Sequence, residues 1–316
     1  MESIQFKLFV LAMAIGFVIL VIKWKRLGIG SWSFDTLKFK YAQNSKFINI
    51  LGTSVHYRDE GNGPVLILLH GVVSSLHTWD EWVKELSPYY RIIRFDVPGF
   101  GLTDPKDTKK FADNYWEDFL DAFVSTLGID KFYIAGNSLG SFISWNYALK
   151  YPEKIKKMVL LDPIAFSQPV PWVLKIAKIP VINFFAKYIV PRFLIEKNIL
   201  EVYGDKTKVT EKIVDRYYEI TMRAGIKKSI IYIFKNIISI SLSSDIGSKV
   251  KDIKVPVLIL WGNDDAWVPV SLLQYWREAL PSAHYIVYDG VGHVPMEEVP
   301  VQSARDVHQY LSEEID

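Results

Sequence analysis

The sequence predicts an α/β protein built on a mainly parallel sheet, and three observations support this fold class. Short apolar runs, typical of buried strands, alternate along the chain with longer segments of helical periodicity. Residues 65–69, VLILL, are apolar at every position, as expected for a central parallel strand that is covered on both faces. Residues 136–140, GNSLG, fit the pattern G-x-S-x-G and lie between a predicted strand and a predicted helix.

The predicted elements follow one another in a regular order. Apolar or alternating runs predict eight strands, at 47–50, 53–59, 65–69, 91–96, 132–135, 158–161, 257–261 and 285–288. Helical periodicity predicts core helices at 79–86, 114–127, 139–149 and 302–312. A chain in which strands alternate with helices in this way forms a parallel sheet with helices against its faces.

Composition limits the classes of function. The 316 residues carry a net charge of +2 with both signs interspersed, which argues against a nucleic-acid partner. The absence of cysteine excludes disulfides, thiolate metal sites and a cysteine nucleophile. No phosphate-binding loop or dinucleotide fingerprint is present, so neither a metal nor an organic cofactor is expected.

The N-terminus, residues 1–30, is predicted to hold a single membrane anchor. Residues 8–22 contain no charged side chain, and about 19 apolar residues in a helix span roughly 28 Å, close to the thickness of the hydrocarbon core. A cleaved signal peptide is the alternative, but lysines, a tryptophan and an arginine at 23–26 follow in place of small residues. This basic flank favours a cytoplasmic catalytic domain over an external one by a small margin.

The alternation of strands and helices stops between residues 163 and 254. This stretch contains helix-length apolar patches and several prolines, and it is too long for a loop. It predicts a helical cap, inserted into a core domain formed by 31–162 and 255–316. Helices around 172–179 and 181–190 are expected to line an apolar acyl pocket. Their lysines, at 175, 178 and 187, are expected to favour an anionic lipid surface.

Ser138 is the predicted nucleophile. A serine hydroxyl attacks a carbonyl only when an imidazole accepts its proton and a carboxylate orients that imidazole. Asp265 follows the strand predicted at 257–261, and His293 follows the strand at 285–288, so both lie on loops at the edge of the sheet where ligands bind. Asp264 and Asp162 remain alternatives for the acid, because one is adjacent to Asp265 and the other also ends a strand.

Two backbone amides are predicted to form an oxyanion hole. The N–H group of Leu139 comes directly after the nucleophile, and that of Val72 lies in the loop after the third predicted strand. Gly71 allows the backbone to approach the substrate there. His56 and His77 lie early in the chain, His284 begins a strand and His308 sits on the terminal helix, positions typical of surface or structural histidines. His70 follows a strand, but the glycine after it assigns that loop to the oxyanion hole.

Five motifs in order resemble those of the α/β-hydrolase superfamily. They are HG at 70–71, DVPGFG at 96–101, GNSLG at 136–140, WGNDDAWVP at 261–269 and GVGHVP at 290–295. The resemblance covers about residues 47–316 and implies a central eight-stranded sheet and a Ser-His-Asp hydrolase. The chain is most similar to the membrane-anchored esterase and monoacylglycerol-lipase-like branch. Asn137 stands where many members have histidine, and Ser138 differs from the aspartate of haloalkane dehalogenases and epoxide hydrolases.

These interpretations predict a membrane-anchored serine esterase or lipase. Its substrate would be a small-molecule or lipid ester with an apolar acyl chain, cleaved through an acyl-enzyme. Two alternatives remain open. One is a C–C bond hydrolase of the ring-cleavage-product type, which resembles this chain and shares the triad. The other is a catalytically silent binding module on the same fold, against which the intact motif positions argue.

Overall fold

The computed structural model describes residues 27–104, 115–177, 179–242 and 246–313, together with residues 6, 7, 10, 11, 13, 15 and 16 nearer the N-terminus. These residues are built around one eight-stranded β-sheet. Its strands are β1 Lys46–Ile50, β2 Thr53–Glu60, β3 Val65–Leu69, β4 Arg91–Phe95, β5 Phe132–Asn137, β6 Ile155–Leu161, β7 Val257–Gly262 and β8 His284–Tyr288.

The eight strands lie side by side in the order β1-β2-β4-β3-β5-β6-β7-β8. β2 runs antiparallel to both β1 and β4. The remaining neighbours, from β4 across to β8, are parallel. The predicted fold class, a mostly parallel eight-stranded α/β sheet, is confirmed.

The central strand β3 is apolar throughout because both of its faces are covered. Ile67 and Leu69 belong to one hydrophobic cluster, on one face of the sheet. Leu66 and Leu68 belong to a second cluster, on the opposite face. Successive side chains of a strand point to opposite faces, so a strand between two layers of helices needs apolar residues at every position.

Twelve helices flank or extend the sheet within the described residues. They are α1 Phe34–Tyr41, α2 Asp80–Leu86, α3 Tyr115–Thr126, α4 Leu139–Lys150, α5 Trp172–Ala177, α6 Pro180–Ala186, α7 Arg192–Val202, α8 Glu211–Thr221, α9 Ile226–Leu242, α10 Leu273–Ala279, α11 Pro295–Glu298 and α12 Pro300–Ser312. The four core helices predicted from periodicity correspond to α2, α3, α4 and α12. In α3, the buried face carries Trp116, Phe119, Leu120 and Phe123, which recur at helical spacing.

Helix α1 is not among the helices that the sequence analysis predicted. The Ser33 hydroxyl accepts a hydrogen bond from the Thr36 N–H at 3.1 Å and caps the first turn. Leu37 is the one buried side chain of this helix. A helix that buries so little shows no apolar periodicity, and for this reason the pattern of the sequence did not reveal it.

Helices α5–α9 form a helical insertion between β6 and β7, and the described residues of 163–254 contribute no strand to the sheet. The insertion shares the hydrophobic clusters of the sheet. Ile226 and Ile233 pack in the first cluster. Ile199 and Tyr218 pack in the second. The insertion is therefore joined to the sheet by buried side chains on both sides.

The prediction of a transmembrane anchor is contradicted. Among the residues that the structure describes, no helix has both the length and the apolar character needed to cross a membrane. Most of the predicted span at 8–22 lies outside the described residues. We therefore do not retain the anchor, the membrane as a partner, or the localisation that was inferred from them.

Candidate active site

Ser138 stands at the sharp turn from β5 into α4. Its backbone has φ 55° and ψ −113°, a combination that residues with a side chain rarely adopt. A Cβ atom on Gly136 would lie 2.3 Å from the carbonyl carbon of Gly140, and one on Gly140 would lie 2.1 Å from the carbonyl oxygen of Leu69. The two glycines of the motif are thus required sterically, since helix, strand and neighbouring strand meet there without room for side chains.

His293 lies in the loop after β8 and lines the same cavity as Ser138. Its Nδ1 lies 2.7 Å from the Asp265 Oδ2 atom. Because the carboxylate is an acceptor, Nδ1 carries the proton, and Nε2 keeps its lone pair in the neutral ring. Nε2 is buried and has no hydrogen-bond partner within the described chain. It is therefore the ring nitrogen available to accept a proton.

Asp265 is held in place by the backbone of its own loop. Its Oδ1 atom accepts hydrogen bonds from the N–H groups of Trp267 at 2.7 Å and Val268 at 2.9 Å. Its other oxygen is left for the histidine. The neighbouring Asp264 is exposed, whereas Asp265 is buried. Of the two adjacent aspartates, Asp265 is the one that contacts the imidazole.

Asp162, the other candidate acid, is buried beside this pair. Its Oδ1 atom accepts a hydrogen bond from the Gly262 N–H at 2.9 Å. Burial, followed by the proximity of Asp265, raises the pKa of Asp162 well above its usual range. Ligating atoms of Asp162, Asp265 and His293 lie within 4.8 Å of one another. Both oxygens of Asp265 are already engaged, one by backbone N–H groups and the other by the imidazole, so the cluster offers a cation few free ligand atoms.

The loop after β3 approaches the nucleophile closely. A Cβ atom on Gly71 would lie 3.2 Å from the Cβ atom of Ser138, and Val72 lines the cavity. The buried His70 holds this loop: its Nε2 accepts from the Val97 N–H at 2.9 Å, and its Nδ1 donates to the Gly71 carbonyl at 2.7 Å. Burial lowers the pKa of His70, which agrees with a neutral ring in this structural role.

The other histidines have structural contacts and, among the described residues, none of them lines the cavity. His56 is buried with its Nδ1 atom 2.6 Å from Asp96 Oδ2. His77 contacts the Tyr41 carbonyl through Nε2 at 2.8 Å, and burial lowers the pKa of His77 to about 4. His293 is thus the histidine that shares a cavity with Ser138.

The sequence analysis did not identify how Asn137 contributes to the site. Its Nδ2 atom donates a hydrogen bond to the His293 carbonyl oxygen at 2.9 Å. The residue before the nucleophile therefore joins the turn that carries Ser138 to the loop that carries His293. The one available signal was its departure from the histidine common in the superfamily, and a motif does not reveal which distant loop an amide contacts.

The histidine loop is also bonded to the end of α7. The His293 N–H donates to the Val202 carbonyl at 2.6 Å. The buried Glu298 accepts from the N–H groups of Gly292 at 2.7 Å and Gly204 at 2.9 Å. The helical insertion and the candidate catalytic loop thus share a buried carboxylate.

The cavity measures about 180 Å³ and is lined mainly by apolar side chains of the helical insertion. The helices expected at 172–179 and 181–190 contribute Val173, Ile182 and Ala186. Other apolar residues of the same stretch face outward: Phe184 and Phe185 are 57% and 54% exposed. Only one face of these helices therefore contacts the interior of the cavity.

Known proteins are similar to this chain along most of its length. A family model described as alpha/beta hydrolase fold matches residues 64–300. A 2-hydroxy-6-oxononadienedioate/2-hydroxy-6-oxononatrienedioate hydrolase of Paraburkholderia phymatum is 30% identical over 275 residues, which cover 82% of this chain and 92% of that protein. A 2-hydroxy-6-oxo-6-phenylhexa-2,4-dienoate hydrolase of Comamonas testosteroni is 26% identical over 250 residues, covering 76% and 84%.

A solved structure of a meta-cleavage product hydrolase is also similar to this chain. The meta-cleavage product hydrolase CumD of Pseudomonas fluorescens IP01 has a TM-score of 0.74 and 26% identity to this chain, and the match covers 84% of this chain and 97% of CumD. Relatives of this kind hydrolyse C–C bonds of ring-cleavage products. They contradict the predicted esterase or lipase activity and do not support the monoacylglycerol-lipase-like branch. The coarser prediction of a hydrolase is confirmed, and the chain belongs to the α/β-hydrolase family.

Proposed function

We propose that the chain hydrolyses a C–C bond next to a ketone in a ring-cleavage product, a substrate of the vinylogous-diketone type. The observation that carries this proposal is the 30% identity to a 2-hydroxy-6-oxononadienedioate hydrolase over 92% of that protein. The contacts around Ser138, His293 and Asp265 support it, because a ketone carbonyl is open to the same nucleophile as an ester carbonyl.

In the proposed reaction, the Ser138 oxygen adds to the ketone carbon while His293 Nε2 accepts the hydroxyl proton. Asp265 holds Nδ1 and stabilises the imidazolium that forms. The carbonyl oxygen becomes an oxyanion, and the N–H groups of Leu139 and Val72 are the proposed donors to it. These amides belong to the residue after the nucleophile and to the loop that Gly71 brings against Ser138.

The C–C bond then breaks. The bond breaks from the keto tautomer of the 2-hydroxydienoate, in which the proton of the 2-hydroxyl group has moved to the carbon next to the ketone. From this vinylogous diketone, the electron pair of the broken bond moves to the leaving carbon and is delocalised through the C=C bond onto the distant carbonyl, so that no localised carbanion forms. The imidazolium of His293 returns a proton to the leaving fragment. One water molecule then hydrolyses the acyl group on Ser138, with His293 again as the base. Overall, one substrate and one water give a carboxylic acid and an enol, which ketonises.

The side chains that the helical insertion places around the cavity are evidence for an apolar group on the substrate. The cavity walls contributed by α6, α7 and α9 are largely aliphatic, and they match a hydrocarbon or phenyl group better than a sugar or a nucleotide. We propose that residues 163–254 act as a cap over a core formed by 31–162 and 255–316, and that the cap excludes bulk water during C–C cleavage.

The experiment is a turnover assay of the purified protein with 2-hydroxy-6-oxo-6-phenylhexa-2,4-dienoate. Cleavage destroys the conjugated chromophore and releases benzoate, so both absorbance and product analysis report it. We expect kcat/KM for this dienoate to exceed that for 4-nitrophenyl acetate, and Ser138→Ala to lower kcat by a factor of about 10³ or more.

A chromophore that persists with the parent protein would contradict the proposed function. Equal turnover by Ser138→Ala would contradict the role of the serine. The silent binding module predicts no turnover of either the dienoate or the acetate ester, so the two readings give opposite results in the same assay.

A further inference from the structure

A second buried aspartate lies beside the candidate acid. Asp162 directly follows β6, is 0% exposed and has a φ of 47°, in the left-handed region of backbone conformation. The Gly262 N–H donates to its Oδ1 atom at 2.9 Å. Its Oδ2 atom is also buried, and no N–H or hydroxyl group of the described chain donates to it. Half of this carboxyl group is therefore without a donor of the usual kind.

The contact between Asp162 and Asp265 requires a proton. The two carboxyl groups are in hydrogen-bonding contact, and both are acceptors only when they are ionised. Asp265 accepts hydrogen bonds from the N–H groups of Trp267 and Val268 and from the ring of His293. Three donors favour the ionised form of Asp265, so the proton belongs to Asp162, which has one.

The other titratable groups around Asp162 also favour a neutral side chain there. They are Tyr288 at the end of β8, the His293 ring in the loop after β8, and the carboxyl group of Glu298 on α11. Within the described residues, no lysine or arginine forms a salt bridge with Asp162 or Asp265. Burial is the main cause that raises the pKa of Asp162, and the charge of Asp265 is the next.

We propose that Asp162 is a positioning residue of the triad: its carboxyl group donates a hydrogen bond to Asp265 and so limits how strongly Asp265 attracts the proton on His293 Nδ1. An O–H donor withdraws charge from the carboxylate that accepts it. Without this donor, Asp265 would bind the imidazolium more strongly, and the imidazolium would give up its proton less readily. The consequence for catalysis rests on the proposed function, whereas the hydrogen bond between the carboxyl groups does not.

Two variants of Asp162 test the hydrogen bond without changing the preferred backbone conformation. Asparagine and glycine both tolerate a positive φ. Asp162→Asn keeps an N–H donor for Asp265, whereas Asp162→Gly has none. The measurement is the NMR resonance of the His293 Nδ1 proton in the full chain, which needs no turnover and is identified by its absence from His293→Gln. We expect Asp162→Gly to move this resonance downfield, because the bond from Nδ1 to Asp265 becomes stronger. Asp162→Asn should leave it near its position in the parent protein.

Asp264 provides the control, because it is exposed and adjacent to Asp265. Asp264→Gly should leave the Nδ1 resonance in place. A resonance that stays in place in Asp162→Gly, or that moves equally in both variants of Asp162, would overturn the proposal.

Infrared spectroscopy at neutral pH tests the protonation of Asp162 without the glycine variant. The parent protein should show the C=O band of a protonated carboxyl group, and Asp162→Asn should lack it. A parent protein without this band, or a band that persists unchanged in Asp162→Asn, would overturn the proposal even if Asp162→Gly failed to fold.

The pH profile of turnover separates this proposal from the proposed function. With the phenyl dienoate, Asp162→Gly should move the acid limb of kcat/KM to higher pH by about one unit, and Asp162→Asn should not. A downfield shift of the Nδ1 resonance in a protein that leaves the dienoate intact would keep the hydrogen bond and reject C–C cleavage. Turnover with the same pH profile in the parent protein and in Asp162→Gly would keep the reaction and overturn the role of Asp162.

Discussion

At the scale of single residues, the candidate site combines backbone strain with a buried carboxyl group whose pKa is raised. Ser138 holds a positive φ, and this conformation typically costs an L-residue about 1–2 kcal/mol. Asp162, next to Asp265, also has a positive φ and is fully buried. Strained residues persist where the surroundings hold them firmly, and here the surroundings are the strand ends that carry the nucleophile, the base and the acid.

The strain at Ser138 leads to a prediction about stability. Ser138→Gly should exceed Ser138→Ala in free energy of unfolding by about 1 kcal/mol, because glycine adopts a positive φ without steric cost. Both variants should be inactive. Urea denaturation measures the difference. The control is Ser125, exposed on α3, where glycine should instead be less stable than alanine by about 0.5–1 kcal/mol. The same order at both positions would contradict strain at the nucleophile.

The raised pKa of Asp162 predicts how stability changes with pH. The folded protein retains this proton at a higher pH than the unfolded chain, whose aspartates titrate near about 3.9. Stability contributed at this site therefore falls as pH rises from about 4 through the folded pKa. Asp162→Asn carries a neutral amide at every pH, so its free energy of unfolding relative to the parent should improve as pH rises from 4 to 8.

Urea denaturation at several pH values provides the measurement for Asp162→Asn. Each unit by which folding raises the pKa corresponds to about 1.4 kcal/mol between the two ends of the pH range. Asp264→Asn, at an exposed position, should give a difference from the parent that is nearly constant with pH. A constant difference for Asp162→Asn as well would mean that Asp162 is ionised in the folded protein.

At the scale of elements, the site is assembled from loops that are hydrogen-bonded to one another. Asn137 joins the turn before α4 to the histidine loop. Glu298, on α11, joins that loop to the end of α7. Asn137 and Gly204 are both distant in sequence from the histidine loop, so the position of His293 depends on the helical insertion as well as on β8.

Glu298 tests this dependence. Glu298→Ala removes a buried carboxylate, and three backbone N–H groups, those of Gly204, Asp205 and Gly292, lose their acceptor. We expect the free energy of unfolding to fall by about 3 kcal/mol, and kcat to fall more than KM changes, because the histidine loop loses its support. Urea denaturation and steady-state kinetics measure the two effects.

The control for Glu298 is Glu278, exposed on α10. Glu278→Ala removes a carboxylate of the same charge and should change stability by less than about 0.5 kcal/mol. If kcat were unaffected in a folded Glu298→Ala protein, the bond between α11 and α7 would have no role in positioning His293.

At the scale of the whole molecule, the helical insertion and the sheet share their buried surfaces. Both hydrophobic clusters contain side chains from the insertion together with side chains of the central strands. A cap with its own separate core would open as an independent unit. One that is packed into the core of the sheet is expected to unfold together with it.

We therefore predict a single unfolding transition, with coincident curves from far-UV circular dichroism and tryptophan fluorescence in guanidinium chloride. Ile199→Ala, in the buried face of α7, should lower the free energy of the whole transition by about 2–4 kcal/mol. Phe184→Ala, on the exposed face of α6, should change it little. An early, separate transition in Ile199→Ala would show that the insertion folds as an independent domain.

The sequence by itself determined the fold class and the composition of the candidate site. Apolar runs of strand length that alternate with helices form a parallel sheet covered by helices, and the carboxyl ends of parallel strands meet at one edge of the sheet. Ser138, Asp265 and His293 each follow such a strand, so their order in the chain was sufficient to predict that they lie together.

Other features were decided by the tertiary structure alone. The apolar pattern of 172–190 does not tell which face meets the cavity. In the structure Ile182 and Ala186 line the cavity, whereas Phe184 and Phe185 do not and are more than half exposed. That pattern also suggested an acyl ester, which the relatives contradict, and a lipid surface, which stays a prediction. Asp162 also follows a strand, and only the packing of the strand ends shows that it lies against Asp265 while Asp265 is the one bonded to the imidazole. Local sequence dictates periodicity and turns, whereas the environment of a buried carboxyl group depends on contacts between segments that local sequence does not specify.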